Sequence, residues 1–371
     1  LVLQSQKGVE TSFLARLIGM PAFIDFAMAH SAGINLPRAS FKKLREYVFP
    51  LPPLAEQRRI VARLEKLEAR SSRARAALDA IPPLLAQARQ SLLAAAFRGE
   101  LTADWRNHNP QKESLSEVLN RVTVDASRTG RAAGMSIIAG RAALSIGDSH
   151  NTIPDGWVRT PLLKVARLES GHTPSRAHPE YWGGNVPWIS IPDARDNHGK
   201  VIQTTKMFTN KIGLANSAAR LLPAGTVCLS RTASVGYVTI MGKPMATSQD
   251  FANWLCSDAL LPHYLALAFV AEGDHLMKFG KGSTHTTIYY PELKALHSSM
   301  PSVAEQCEIV RRVENALTRL GATAAAYTAA AAEMDRLDQS LLAQAFSGKL
   351  VKQAPSDEPA EALLARIRAN C

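Results

Sequence analysis

Leu54-Ala55-Glu56-Gln57-Arg58-Arg59-Ile60-Val61 returns later in the chain as Val303-Ala304-Glu305-Gln306-Cys307-Glu308-Ile309-Val310. A second phrase behaves the same way. Ser91-Leu92-Leu93-Ala94-Ala95-Ala96-Phe97-Arg98-Gly99-Glu100-Leu101 returns as Ser340-Leu341-Leu342-Ala343-Gln344-Ala345-Phe346-Ser347-Gly348-Lys349-Leu350. Gln57 and Gln306 stand 249 positions apart, and so do Phe97 and Phe346, so the intervening segment has one length in both copies. Upstream, Phe41 and Leu44 match Tyr290 and Leu293; downstream, Pro110 and residues 118–122 echo Pro355 and residues 363–367. A period this long marks a duplicated domain-plus-helix unit rather than a solenoid array.

The repeated segments read as long helices. Ile60, Leu64, Leu67, Ser71, Ala74, Leu78, Ile81, Leu85, Ala88 and Leu92 alternate spacings of four and three. Ile309, Val313, Ala316, Leu320, Thr323, Tyr327, Ala330, Met334, Leu337 and Leu341 do the same. A 3.5-residue period sustained over several heptads is a coiled-coil seam. Each helix would extend roughly 65 Å at 1.5 Å per residue. Gly99 and Gly348 follow the last apolar turn, where a left-handed C-cap is wanted. Pro82-Pro83 interrupts the first helix and predicts a kink or break, whereas Ala331-Ala332 leaves the second intact. The spacing predicts that the two helices, near 54–98 and 303–347, pair antiparallel. The simpler alternative is a hairpin packed inside one domain.

The remaining sequence divides around these helices. Residues 1–53 read as the C-terminal remnant of a first globular domain, 54–101 as the first long helix, and 102–152 as a linker with a short helix near 114–123. Residues 153–302 read as a complete second domain, 303–350 as the second long helix, and 351–371 as a tail with a short helix. Within 153–302, residues 186–191, 226–230, 235–241 and 251–255 carry strand signals, and 263–279 reads as a helix. Phe13 to His30 reads as its counterpart in the first copy. On the repeat's arithmetic about 100 residues, matching 153–249, have no equivalent there. The apolar face of Phe13, Leu14, Leu17, Ile18, Phe23 and Phe26 would then lack a sheet to cover it, leaving 1–40 mobile or packed on a second chain. A chain beginning at Leu1 reads as part of a longer product.

Composition narrows the function. With 371 residues, a net charge of +11 and a pI near 9.6, the chain suits a polyanionic partner. Cys228, Cys256, Cys307 and Cys371 are far apart and make neither a disulfide framework nor a zinc site, so a reducing compartment is expected. No apolar run is long enough for a bilayer, and no signal peptide is evident in the mostly polar stretch after Leu1. There is no Asn/Asp-Pro-Pro-Tyr/Phe methyltransferase motif, because both Pro-Pro pairs lie between aliphatic residues. No phosphate loop is present, since Gly280-Lys281-Gly282-Ser283 lacks the earlier glycine, and the histidines form no metal-binding pair. No intrinsic catalysis is expected.

Several phrases resemble the specificity subunits of type I restriction-modification systems. Ile153-Pro154-Asp155-Gly156-Trp157 resembles the opening of a target-recognition domain. Gly171-His172-Thr173-Pro174-Ser175-Arg176, followed by Tyr181-Trp182-Gly183-Gly184-Asn185-Val186-Pro187-Trp188-Ile189, is similar to its first strand-loop-strand passage. Leu222-Pro223-Ala224-Gly225-Thr226-Val227 with residues 230–236, Thr247-Ser248-Gln249-Asp250-Phe251 and Gly282-Ser283-Thr284-His285 resemble later turns. Met300-Pro301-Ser302-Val303-Ala304-Glu305-Gln306 and its twin Leu51-Pro52-Pro53-Leu54-Ala55-Glu56-Gln57 resemble the run into the family's spacer helix. The N-terminal part of the first recognition domain is what departs from the pattern.

The resemblance implies an α+β chain: globular mixed α/β target-recognition domains joined by two long helices in an antiparallel coiled coil. It implies sequence-specific binding of double-stranded DNA in defence against foreign DNA, each recognition domain reading half of a bipartite site. The helices would set the spacing and dock DNA adenine methyltransferase subunits, alongside an ATP-dependent restriction subunit. S-adenosylmethionine, ATP and magnesium would sit on those partners, none on this chain, and the complex would be cytoplasmic.

Candidate DNA contacts are polar turns. Ser230, Arg231, Thr232 and Ser234 follow an apolar strand, and an arginine there suits guanine O6 and N7. His172, Thr173, Ser175 and Arg176 form a polar loop. Ser248 and Gln249 suit adenine through the glutamine amide, or only cap a turn. Lys281, Ser283, Thr284 and His285 combine glycine-adjacent amides with charge, which suits phosphate. Each set has a plain alternative as a solvated turn. Tyr181, Trp182 and Trp188 read as core, because stacking platforms belong to single-strand binders. Two other readings stand beside DNA recognition by a single chain: a truncated specificity protein that acts as a dimer, and a non-catalytic coiled-coil adaptor working through protein partners.

Overall fold

The computed structural model describes residues 5, 7–32, 38–111, 113–125, 144–146, 153–280 and 286–369. The chain forms two compact units, Leu1–Leu85 with Gly321–Cys371 and Ala86–Leu320. The first unit is assembled from two segments distant in sequence and the second from one continuous stretch, and the boundaries between them fall inside the long helices.

The heptads become helices at Leu54–Asp79 and Ile81–Phe97, broken at Ala80, and at Val303–Phe346, which runs uninterrupted for 44 residues. Proline at positions 82 and 83 can supply no amide hydrogen to the preceding turn, which accounts for the break. Gly99 and Gly348 both take φ +73° and close their helices, with Glu100 N donating to Ala95 O and Lys349 N to Gln344 O.

In the first unit, helix Leu54–Asp79 pairs antiparallel with the second half of Val303–Phe346. Ile60, Val61 and Leu64 pack with Ala345, Leu341 and Phe346. Further along, Ser71 Oγ donates to Asp338 Oδ1 at 2.5 Å, and Arg75 pairs with Asp335 and Asp338. The predicted Phe13–His30 helix is two, Thr11–Ile18 and Pro21–Ala29, because Pro21 opens a new first turn. Phe13 and Leu17 are buried, Phe13 against the paired helices and 4.9 Å from the Phe346 ring. That corrects the expectation that this apolar face finds no cover. The second short helix has no buried residue, and Ile24 and Met28 are about half exposed.

The second unit holds three small sheets. Strands Ala166–Ser170, Phe251–Cys256, Val227–Ser230, Val238–Met241 and Lys200–Ile202 lie in that order, antiparallel except for the last pair. Ala246–Thr247, Trp182–Ile189 and Met207–Thr209 form a second sheet, and Leu144–Ile146, Leu296–Met300 and Val158–Pro161 a third. Helix Pro262–Glu272 covers the larger sheet and ends at Gly273, whose φ of +51° turns the chain into a 3-10 segment where one continuous helix was expected. Trp254, Phe269 and Tyr264 share one core with Leu93 and Phe97 of the first long helix and Ile309 and Val313 of the second. The helix ends are thus part of the recognition domain's own core.

Two glutamines show the duplication at atomic detail. Gln57 Oε1 accepts from Glu10 N at 2.7 Å, while its amide nitrogen donates to Gly8 O and Pro52 O. Gln306 Oε1 accepts from Leu261 N at 2.8 Å, and its nitrogen donates to Ala259 O and Pro301 O. Both side chains are fully buried. One residue in each unit therefore satisfies three backbone groups and fixes the long helix to the segment before it.

Candidate nucleic-acid interface

One edge of the five-stranded sheet gathers most of the polar turns singled out in the sequence. The C-terminal ends of Ala166–Ser170 and Val227–Ser230 and the N-terminal end of Phe251–Cys256 meet there, because these strands are antiparallel neighbours. Residue 171 must be glycine: a Cβ on it would lie 1.9 Å from Ser248 O and 2.2 Å from Thr247 Oγ1. That close approach lets His172 N donate to Thr247 O at 2.9 Å and brings Thr173 Oγ1 onto Gln249 Oε1. Trp188 Nε1 holds His172 O from beneath at 3.1 Å, and Trp188 is buried. The loop at 171–176 and the turn at 247–250 are one surface.

The third turn joins the same surface. Arg231 N donates to Asp250 O at 2.7 Å, and Ile288 N to Arg231 O at 2.8 Å. Thr232 hydrogen-bonds Thr287 through their hydroxyls. Ser230 Oγ donates to Ser234 O and accepts from Tyr237 N, closing the turn on itself. At its tip Ala233 has φ +61°, a left-handed conformation that costs a non-glycine residue about 1–3 kcal/mol and clusters at functional surfaces. His198 packs edge-on against Tyr237 at 5.9 Å, and its Nδ1 accepts from Val238 N. Burial of this ring pushes its pKa down, so the neutral form is favoured.

The candidates fall into distinct groups. Ser175 and Arg176 are exposed at the rim of the 171–176 loop, and among the described residues no carboxylate pairs with Arg176. Gln249 is exposed, while Thr232, Ser234, His172 and Thr173 are half-buried. Arg231 is corrected. It is only 5% exposed, its Nη1 donates to Ile288 O at 3.1 Å, and its guanidinium lies 4.9 Å from the Tyr290 ring centroid. It braces the turn and is not presented to a groove. Ser230 and Ser248 are corrected for the same reason, being buried with their hydroxyls engaged by the turn. Lys281, Ser283, Thr284 and His285 lie outside the described residues.

Some features of the edge escaped the sequence reading. The His198–Tyr237 contact joins residues from a loop before one strand and a turn before another. Its only sequence signal was an aromatic just after Gly236. Tyr181 is half-buried with His178 stacked on it at 4.8 Å, while Trp182, also half-buried, packs against the small core of Val186, Trp188 and Ala246 and meets Trp188 edge-on at 5.1 Å. Tyr289, half exposed two residues after the isolated bridge at Thr287, carries no signal in the sequence.

The family model for the type I restriction modification DNA specificity domain matches residues 1–78 and 154–323, one segment in each half of the duplication. The chain belongs to this family. It is 25% identical over 392 residues to the EcoKI type I restriction enzyme specificity subunit of Escherichia coli K12, spanning all of this chain and 74% of that one. Among solved structures it resembles the HsdS subunit from Thermoanaerobacter tengcongensis, with a TM-score of 0.55, 20% identity, and coverage of 92% of this chain and 71% of that one. It also resembles a chain from a structure describing complex assembly and conformational transition of the type I restriction-modification system, with a TM-score of 0.65 and 20% identity over 94% of this chain and 74% of the other. These likenesses agree with recognition domains joined by long helices. No single helix among the described residues is long and apolar enough to cross a membrane.

Proposed function

We propose that the chain selects the base sequence of duplex DNA through the edge of its five-stranded sheet, as the non-catalytic specificity subunit of a type I restriction-modification complex. The observation that carries this reading is the convergence of three polar turns, at 171–176, 231–237 and 247–250, on one surface braced by buried Arg231, Trp188 and Ser248. A contact surface must be held still to discriminate bases, and here the bracing groups are backbone-bonded and the rim groups, Ser175, Arg176 and Gln249, reach outward. Residues 153–302 read one half of a bipartite site. The paired helices set the distance to the other half and present the docking face for adenine methyltransferase subunits and an ATP-driven restriction subunit. S-adenosylmethionine, ATP and magnesium serve those partners, and the complex works in the cytoplasm, where it meets incoming DNA.

A salt titration tests the electrostatic part. For duplex binding through phosphates, log affinity falls linearly with log salt, by about 0.9 per phosphate neutralised. A flat dependence would favour the adaptor reading, in which the basic Arg58, Arg63, Arg70 and Arg73 meet an acidic protein.

A further inference from the structure

The hydrogen bonds that tie the three turns together leave particular atoms free on their shared edge. Thr173 Oγ1 donates to Gln249 Oε1, so the neighbouring loop occupies the oxygen of that amide. Gln249 is exposed, and its Nε2 carries no bond among the described residues. Ser248 Oγ donates to Asp250 Oδ2 at 2.9 Å and accepts from Asp250 N at 3.2 Å, which leaves Oδ1 unbonded among the described residues and not buried. The backbone is fixed from the other side, where Asp250 O accepts from Arg231 N at 2.7 Å. The turn therefore offers two donor hydrogens from one residue and one acceptor oxygen from the next.

Asp250 is the one acidic residue in 171–176, 231–237 and 247–250, and no ion pair reaches it among the described residues. A carboxylate close to duplex phosphates is repelled by them, so on a DNA-reading edge it is unfavourable unless it accepts from a base. Its major-groove partner is the N4 amino group of cytosine. Across the same base pair, guanine presents two adjacent acceptors, N7 and O6, which match the two hydrogens of a glutamine nitrogen. An A·T pair fits less well, because its amino group lies between two acceptors. The bidentate contact of a glutamine with adenine also needs the amide oxygen, and here Thr173 holds it.

We propose, resting on the reading of this edge as the DNA surface, that Gln249 and Asp250 together select one G·C pair. Gln249 Nε2 donates to guanine and Asp250 Oδ1 accepts from the cytosine paired with it. Thr173 and Ser248 are positioning residues: each occupies the inner atom of one reading side chain and turns the complementary atom to the groove.

The test is selection from a pool of random duplexes by the full chain assembled with its methyltransferase subunit, run for the parent, Gln249→Ala and Asp250→Ala. The parent motif should contain a G·C pair at which each variant loses about tenfold of its preference, the same pair in both, with other positions unchanged. Gln249→Glu keeps the size of the side chain but replaces donors by an acceptor, and should disfavour that pair more strongly than Gln249→Ala. Asp250→Ala should bind unrelated duplex as well as the parent or better, since a negative charge is removed; a merely structural role would weaken all sequences alike. Losses at two different pairs, a loss at an A·T pair, a motif unaltered by either variant, or uniform weakening by Asp250→Ala would overturn the proposal and leave sequence selection by the chain standing. A parent that enriches no motif would remove that reading, and the proposal with it.

Discussion

Arg231 shows what a residue can and cannot declare in sequence. A cation after an apolar strand and before a turn reads as a groove contact. Only the fold brings Ile288 and Tyr290 across it and turns it inward. The same limit applied to Ser230 and Ser248, whose hydroxyls close their own turns. Only the exposure of Arg176 was legible, because its flanking Pro174, Ser175 and Ala177 leave nothing local to engage it. The two arginines therefore predict opposite phenotypes. Arg231→Ala removes a buried hydrogen bond and a ring contact and should lower stability by about 1–3 kcal/mol in denaturant melts. Arg176→Ala should leave the melt unchanged and relax base preference at one position, weakening specific binding by about 1–3 kcal/mol. A stable Arg231→Ala protein with altered base preference would return that residue to the groove. At the same scale, Gln306→Leu strands a buried amide and two carbonyls and should cost several kcal/mol, each such group being worth about 1–3 kcal/mol. Gln57→Leu should do the same to the first unit.

The long helices were the most legible elements, since a heptad period needs no tertiary context, and the proline pair marked the break at Ala80. Short strands such as Lys200–Ile202 and Met207–Thr209 were not legible, because three residues carry no period and their partners lie far along the chain. The helix pairs make two predictions. Leu64 is 1% exposed and Val313 fully buried, so Leu64→Asp or Val313→Asp should cost roughly 3 kcal/mol or more by placing an unpaired charge in a core; a loss below 1 kcal/mol would contradict the pairing. The second concerns acid. Arg312 donates to Asp104 through both terminal nitrogens and holds that carboxylate at about 2, while Glu308 is held at about 2 by Arg311 first and by Arg312 Nε second, each below its ordinary value. Depressed carboxylates contribute stability above their ordinary range and lose it as pH falls from about 4 to about 2. Arg312→Gln should therefore be less stable than the parent at pH 7, with the difference vanishing near pH 2. Asp104 is exposed, so its share of the effect is modest and salt-sensitive. A difference independent of pH, followed by circular dichroism, would exclude these ion pairs as its source.

At the scale of the molecule, the duplication was readable from a handful of phrases at fixed spacing, and the twin glutamine clamps give it a physical purpose. What spacing could not reveal is that the two compact units cut across the repeats, each drawing on both long helices. Nor could it show that the first unit covers Phe13 with the helix pair while leaving Ile24 and Met28 outward. The central claim is that the sheet edge of residues 153–302 chooses DNA sequence and leaves the chemistry to partners. Selection from a pool of random duplexes by the chain assembled with its methyltransferase subunit tests it most directly. The account predicts enrichment of a discrete motif in which at least one half-site loses definition when Arg176 and Gln249 are both changed to Ala. Uniform recovery of all sequences, or a motif unaltered by that double substitution, would contradict it.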